Sequence, residues 1–263
     1  MASIPARVTE RIRTALKKYQ PILTAAKARD VNESDTVVII TDLLQEMFGY
    51  DKYSEITSEH MIRNTFCDLA VKIDGKLAFL IEVKAIGLDL KDNHVKQAVD
   101  YAANQGCDWV GLTNGFAWRV YRVSFTKPIE HECIVEFDIL QMNARDSDDI
   151  DLLGVIAKEG WRKAQLEEYR EQKQALSRFT LGALLLSDPV VKFVRRELRR
   201  LSGALVDAEE IRKVLQADVI KRDALEGEKA VAAGRQVTRA ANKAKRKEKA
   251  DQDEAVATVE IVE

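Results

Sequence analysis

Phe66–Lys84, FCDLAVKIDGKLAFLIEVK, restricts the fold of this chain more than any other stretch. Two apolar-alternating runs flank Asp74-Gly75, a pair that favours a tight hairpin turn. Residues two apart on a strand share a face. Cys67, Leu69, Val71 and Ile73 therefore make one apolar face, and Leu77, Phe79, Ile81 and Val83 make its counterpart. Laying these faces side by side requires paired residue numbers with an even sum. A plain two-residue Asp74-Gly75 loop pairs Ile73 with Lys76, an odd sum that sends one apolar face to water. A three-residue loop, Ile73-Asp74-Gly75 with Gly75 left-handed as a G1 bulge, pairs Lys72 with Lys76 and restores the even sum.

The same parity puts Asp68, Glu82 and Lys84 on one common face. Two carboxylates hold a hard cation through oxygen. Such a cation polarises a phosphate and lowers the pKa of a bound water. A lysine beside them stabilises developing negative charge. This is the side-chain set that a Mg²⁺-dependent phosphodiesterase needs. A second Glu-x-Lys, Glu171-Gln172-Lys173, falls in a charged helical segment and reads as solvated surface.

The rest of the chain sets bounds. Hydrophobic content of 46% over 263 residues supports a real core. A formal net charge of −2 gives no global basic field, so any nucleic-acid contact must be local. No apolar run approaches the roughly 18 residues of a membrane span, and the amphipathic N-terminus lacks a signal-peptide core. Cys67, Cys107 and Cys133 form no CxxC pair and read as small buried residues in a reducing cytoplasm. No GxxxxGK loop marks an ATP-driven motor.

Val8, Ile12, Leu16 and Tyr19 predict a helix over about 5–28. Ser34 or Asp35 caps a second helix that Gly49 stops, with Val38, Ile39, Leu43, Leu44 and Met47 as its buried stripe. Glu46 near its C-terminal end opposes the helix dipole, which suggests a cation or lysine partner; an exposed surface glutamate is the alternative. A short strand is expected within Tyr53–Arg63. A helix capped by Asp92 or Asn93 runs to about Gln105 and packs through Val95, Ala98, Val99 and Ala102. Gln97 and Tyr101, four apart, share one of its faces. Strands follow at 108–113, at 116–124 after the Asn114-Gly115 turn, and at about 131–137. Trp109, Trp118 and Tyr121 on them read as core rather than base-stacking residues.

From Asp148 the pattern turns helical, with a break near Ser187-Asp188-Pro189 and a further helix over 208–224. Arg195, Arg196, Arg199 and Arg200 form a local basic cluster suited to phosphates or to a solvated helix face. From about Glu226 large apolar residues almost vanish, which predicts a charged tail that is a frayed helix or disordered. The expected domains are therefore 1–145, 146–225 and 226–263.

In order, Glu46, Asp68, Glu82-Val83-Lys84, Gln97-x-x-x-Tyr101 and Thr113-Asn114-Gly115-x-x-Trp118-x-x-Tyr121 resemble the N-terminal nuclease domain of type I restriction enzyme restriction subunits, within the PD-(D/E)xK superfamily. The resemblance covers about 43–123. It implies an α/β fold: a restriction-endonuclease-like central mixed β-sheet flanked by helices, here with a C-terminal helical extension. It implies a Mg²⁺-dependent DNA endonuclease, with Mn²⁺ able to substitute. Asp68 and Glu82 would hold the metal, Lys84 would orient or activate water, and Glu46 would support metal or lysine. Gln97 and Tyr101 would stabilise the site and the DNA backbone. DNA, restriction-modification subunits or a second copy are the implied partners. Cys67 stands where the superfamily has proline. The alternative is a catalytically silent DNA- or protein-binding regulatory module on the same fold.

Overall fold

A computed structural model describes residues 4–62 and 65–260, and side chains within that range except 59–66 and those from 245 onward. Arg63, the expected end of the first strand, and the last three residues of the tail lie outside the described residues. Contacts divide the chain into two compact units, Met1–Arg170 and Glu171–Glu263.

The first unit is α/β, built on a six-stranded mixed sheet: β1 Ile56–Ile62, β2 Thr65–Ile73, β3 Lys76–Val83, β4 Trp109–Thr113, β5 Ala117–Ser124 and β6 Glu130–Asp138. Spatial order follows chain order. Among the described strands only β3 and β4 are parallel, joined through a crossover that contains helix α3, Asp92–Gln105. The other neighbours are antiparallel.

The central hairpin reaches the even register by a different device from the one its sequence suggests. Asp74 (φ 51°) and Gly75 (φ 76°) are both left-handed, the geometry of a two-residue type I′ turn. Ile73 pairs with Lys76, the odd sum. A bulge opposite Val71/Lys72 then inserts Ala78, and beyond it Val71 pairs with Phe79 and Leu69 with Ile81. The apolar faces split accordingly. Leu69, Val71, Ile73, Phe79, Ile81 and Val83 join the larger core, whereas Cys67 and Leu77 lie with the smaller cluster on the opposite sheet face.

The larger core packs against α1 (Ala6–Ala28) and α2 (Glu33–Glu46). On α1 the expected Val8, Ile12, Leu16 and Tyr19 are buried, joined by Leu23 and Ala26. On α2 the cap is Asn32, whose side chain accepts from Asp35 N–H. Ile40, Leu43, Leu44 and Met47 are buried, and Val38 is exposed. The smaller cluster lies under α3, which buries Val95, Ala98, Val99, Tyr101 and Ala102. Trp109, Trp118 and Tyr121 are buried, as their alternation predicts.

Helices α4 (Ser147–Ile156) and α5 (Lys158–Arg162) and the start of the next helix, up to Arg170, complete this unit. Ile150, Leu153, Val155 and Ile156 belong to the larger core, so the unit continues past residue 145 rather than ending there. Arg11 fastens α5 to α1. Its guanidinium meets Glu159 through two bonds of 2.8 and 2.7 Å, and its Nε donates to the Met47 carbonyl. Gly49 (φ 81°) passes so close that a Cβ would stand 2.7 Å from that guanidinium. The Arg11 hydrogen bond holds the Glu159 carboxyl below its ordinary range. A lowered folded pKa gives stability that is present above the usual carboxylate range and lost as pH falls through the lowered value. Arg11→Met is expected to cost about 1–3 kcal/mol at neutral pH and to flatten the acid limb of a stability–pH curve, read by urea unfolding. An unchanged acid limb would refute the assignment.

The second unit is helical: the end of α6 (Gln165–Ala175), α7 (Arg178–Leu185), α8 (Asp188–Ser202), α9 (Ala208–Val214) and α10 (Glu228–Glu260). Pro189 sits in the first turn of α8, where its missing N–H costs nothing. The segment expected as one helix over 208–224 is α9 followed by a π turn and a short 3₁₀ turn. Of the two readings for the tail, helix or disorder, the structure has the helix α10. Ala230, Gly234, Val237, Thr238 and Ala241 line a groove shared with Phe179 and Ala183 of α7. Small side chains permit that approach without a large apolar core. Glu171, Gln172 and Lys173 are exposed, as expected of a surface Glu-x-Lys. No helix among the described residues is long and apolar enough to cross a membrane.

Candidate active site

The ladder between β2 and β3 pairs Leu69 with Ile81 as its last rung towards the end of β3. The following residues, Asp68 and Glu82, thus stand side by side where the strands part. Asp68 Oδ2 accepts the Val83 N–H at 2.7 Å, a side chain taking the place of a ladder carbonyl. Glu82 is 3% exposed. Its Oε1 accepts from Lys84 Nζ at 2.7 Å, and its Oε2 is buried with no hydrogen-bond partner among the described residues. Burial raises the Glu82 pKa and the Asp68 charge adds to the rise, against the opposing hydrogen bond from Lys84. Burial works against the Lys84 charge, but Glu82 and Glu33 outweigh it and leave its pKa raised. Lys84 is therefore a cation at neutral pH.

The site sits at the carboxyl end of the parallel pair β3/β4, the usual position of ligand crevices in α/β sheets. Lys84 N–H donates to the Thr113 carbonyl. Asn114, 2% exposed, uses both ends of its amide: Nδ2 donates to the Leu88 carbonyl, and Oδ1 accepts from Ala117 N–H. It thereby ties the loop after Lys84 to the β4–β5 turn. Trp118 Nε1 donates to the Gly115 carbonyl of that same turn. The Thr-Asn-Gly-x-x-Trp pattern is thus a backbone clamp beside Lys84.

The other predicted residues divide. Glu46 is not with this group. It ion-pairs with Lys18 of α1 at 2.5 Å, at the far end of α2, about 20 Å along the axis from the first turn at 1.5 Å rise per residue. The acid that α2 brings to the site is Glu33, 3.6 Å from Lys84 Nζ. Tyr101 is buried in the α3 cluster, its pKa raised by burial and then by Cys67. Gln97 is exposed on α3. Cys67 is buried, and burial followed by the charges of Glu82 and Asp68 pushes its thiol up to about 12. It is a packing residue rather than a nucleophile.

The matching part of the chain lies around this geometry. Residues 39–137 match the family of the type I restriction enzyme R protein N terminus (HSDR_N). The match takes in Glu46, Asp68, Glu82, Lys84, Gln97, Tyr101 and the Thr113–Tyr121 clamp, and begins after Glu33. The resemblance carried by those motifs is therefore shown for β1–β6 and α3, less than half of the chain. No curated protein and no solved structure matched in the corresponding searches.

Proposed function

We propose that the first unit is a metal-dependent DNA endonuclease of the PD-(D/E)xK type, hydrolysing phosphodiester bonds. The observation that carries this reading is Glu82. It is a carboxylate almost wholly withdrawn from water, beside a second carboxylate, with one oxygen lacking a partner among the described residues. Such an arrangement is costly unless a cation compensates it. Two adjacent carboxylates suit a hard, oxygen-preferring ion, Mg²⁺ with Mn²⁺ as substitute.

Asp68 and Glu82 would be its ligands. When bound, the ion supplies polarisation of the phosphate and a more acidic water. The Val83 N–H fixes the Asp68 carboxylate. Lys84, held between Glu82 and Glu33, places a permanent positive charge where the pentacovalent phosphate gains negative charge. Glu33 acts here as a positioning residue in the role that the sequence assigns to Glu46. Gln97, exposed on α3, is a donor for the DNA backbone, and Tyr101 braces α3 under the site. Restriction-modification subunits or a second copy of the chain remain the proposed protein partners, in the cytoplasm.

The test is cleavage of supercoiled plasmid and single-stranded DNA with Mg²⁺, Mn²⁺ or EDTA, with Asp68→Ala beside wild type. Metal-dependent nicking that Asp68→Ala abolishes supports the reading, and cutting that survives in EDTA removes it. Glu33→Gln is expected to lower the rate about 10–100-fold, as loss of a supporting partner does, and Glu46→Gln to leave it unchanged. The reverse pattern would return the role to Glu46.

One observation favours the silent module. Among the described residues no three His, Cys, Asp or Glu side chains converge to hold a metal. That reading predicts DNA or partner binding that Lys84→Ala does not alter, with no turnover.

A further inference from the structure

Helix α8 of the second unit, DPVVKFVRRELRRLS, is sharply two-sided. At 100° per residue, Lys192, Arg195, Arg196, Arg199 and Arg200 fall within an arc of about 140°. Val190, Val191, Val194 and Leu198 fall on the opposite side. Most of that apolar side is engaged with the unit: Val191 is fully buried, and Val190, Val194 and Leu198 are half-buried, while Leu201 at the helix end is exposed. All five cations are exposed.

Their charge is largely uncompensated. Glu197 is the only acid between Pro189 and Ser202, and it serves both Arg196 (3.5 Å) and Arg200 (2.8 Å). Among the described residues Lys192, Arg195 and Arg199 have no ion pair. Elsewhere in this unit Arg178 is paired with Asp223, Arg212 with Asp188 and Glu209, and Arg222 with Glu226, whereas Arg235 and Arg239 of α10 have no ion pair among the described residues. A helix that gathers five cations around one acid, in a chain of net charge −2, pays in self-repulsion unless a polyanion meets it.

We infer that the outward face of α8 binds the phosphate backbone of duplex DNA without regard to sequence. Successive cations one helical turn apart form a row along about 12 Å of the axis. Each DNA strand carries one charge per roughly 3.4 Å, so such a row meets several phosphates at once. Arginine forks bind phosphate oxygens in pairs. An anionic membrane is the poorer fit, because an interfacial helix needs its whole apolar side free to enter the headgroups, and here Val191 is buried and Val190, Val194 and Leu198 half-buried, which leaves only Leu201 and Phe193 exposed. The choice of DNA as the polyanion rests on the endonuclease reading of the first unit.

The experiment is fluorescence anisotropy of the full chain with a labelled random-sequence duplex of about 30 base pairs, in EDTA, between roughly 50 and 200 mM salt. Arg195→Gln/Arg199→Gln is expected to flatten the slope of log K against log salt by about 1.8, since each phosphate contact contributes about 0.9. Arg195→Lys/Arg199→Lys restores it. Lys213→Gln/Lys229→Gln, which removes the same charge from other exposed positions of the unit, leaves it unchanged. Absence of duplex binding by wild type overturns the inference. So does an equal loss in the control pair, or a slope the arginine pair does not move. So does arginine-dependent binding to phosphatidylserine vesicles with duplex binding intact. Duplex binding lost with the arginines in a chain that never cuts supports this inference and sinks the endonuclease reading. Cutting with an unmoved slope does the opposite.

Discussion

Lys84→Ala is expected to reduce metal-dependent cleavage of supercoiled plasmid by about 10²–10³-fold, the usual cost of removing one preorganised charge from a phosphate's transition state. Without a metal, Glu82 and Glu33 hold the Lys84 pKa raised against its burial. On the proposed reading its contribution is that of a charge placed beside the phosphate. Lys84→Arg should therefore retain more activity than Lys84→Ala, and the pH–rate profile of wild type should show no limb that either substitution removes. Loss of Lys84 also strips Glu82 of its one hydrogen-bond donor, while the carboxylate stays buried beside Asp68. The Lys84→Ala protein should melt lower than wild type in EDTA and recover more of its Tm on adding Mg²⁺. Full cleavage by Lys84→Ala, or no cleavage of plasmid or single strands by wild type, would end the stand-alone endonuclease reading. Duplex affinity is measured alongside, so that a binding defect is not mistaken for a chemical one.

How far the sequence reaches is clearest in the central hairpin. The requirement for an even register follows from Leu69, Val71, Phe79 and Ile81 alone, and Asp68 and Glu82 are adjacent because of it. Where the extra residue goes is invisible to that argument, because a bulge at Ala78 and a G1 bulge at Gly75 change the sum equally. Parity fails only at the ends, where Cys67 turns to the α3 side and bonds across to the Ile81 carbonyl. Glu46 shows a different limit. Its need for a lysine was legible from its place at a helix C-terminus, and Lys18 supplies it. Which lysine is a tertiary fact, set by how α1 crosses α2. Glu33 gave no signal, because an acid in a first helical turn is already accounted for by the helix dipole. The tail shows a related limit. Absence of large apolar residues argues against a core of its own, but not against a helix whose alanines, such as the buried Ala233, pack on another.

Trp118→Ala should destabilise the first unit by about 3–5 kcal/mol, the range for deleting a large buried aromatic, out of a total that for most domains is only about 5–15. The indole is 1% exposed, stacks on Phe137 at 6.1 Å, and meets the edge of Phe48 at 5.7 Å. It thus joins β5 and β6 to the segment that follows α2. Its Nε1–H donates to the Gly115 carbonyl in the turn after Thr113, and Thr113 in turn accepts the Lys84 N–H. Packing and chemistry are linked through this one side chain. Trp118→Phe separates them. It keeps most of the ring contact but leaves a turn carbonyl unpaired, at about 1–3 kcal/mol. Urea unfolding followed by far-UV CD measures both variants on the full chain. Cleavage measured well below the unfolding midpoint should fall in Trp118→Phe even where the protein remains folded, because the clamp beside Lys84 has lost one tie. A Trp118→Ala cost under about 1 kcal/mol, the level of an ordinary surface change, would mean that this ring is not the pin between sheet and helix layer. Unaltered cleavage in a folded Trp118→Phe protein would mean that Asn114 alone holds the turn.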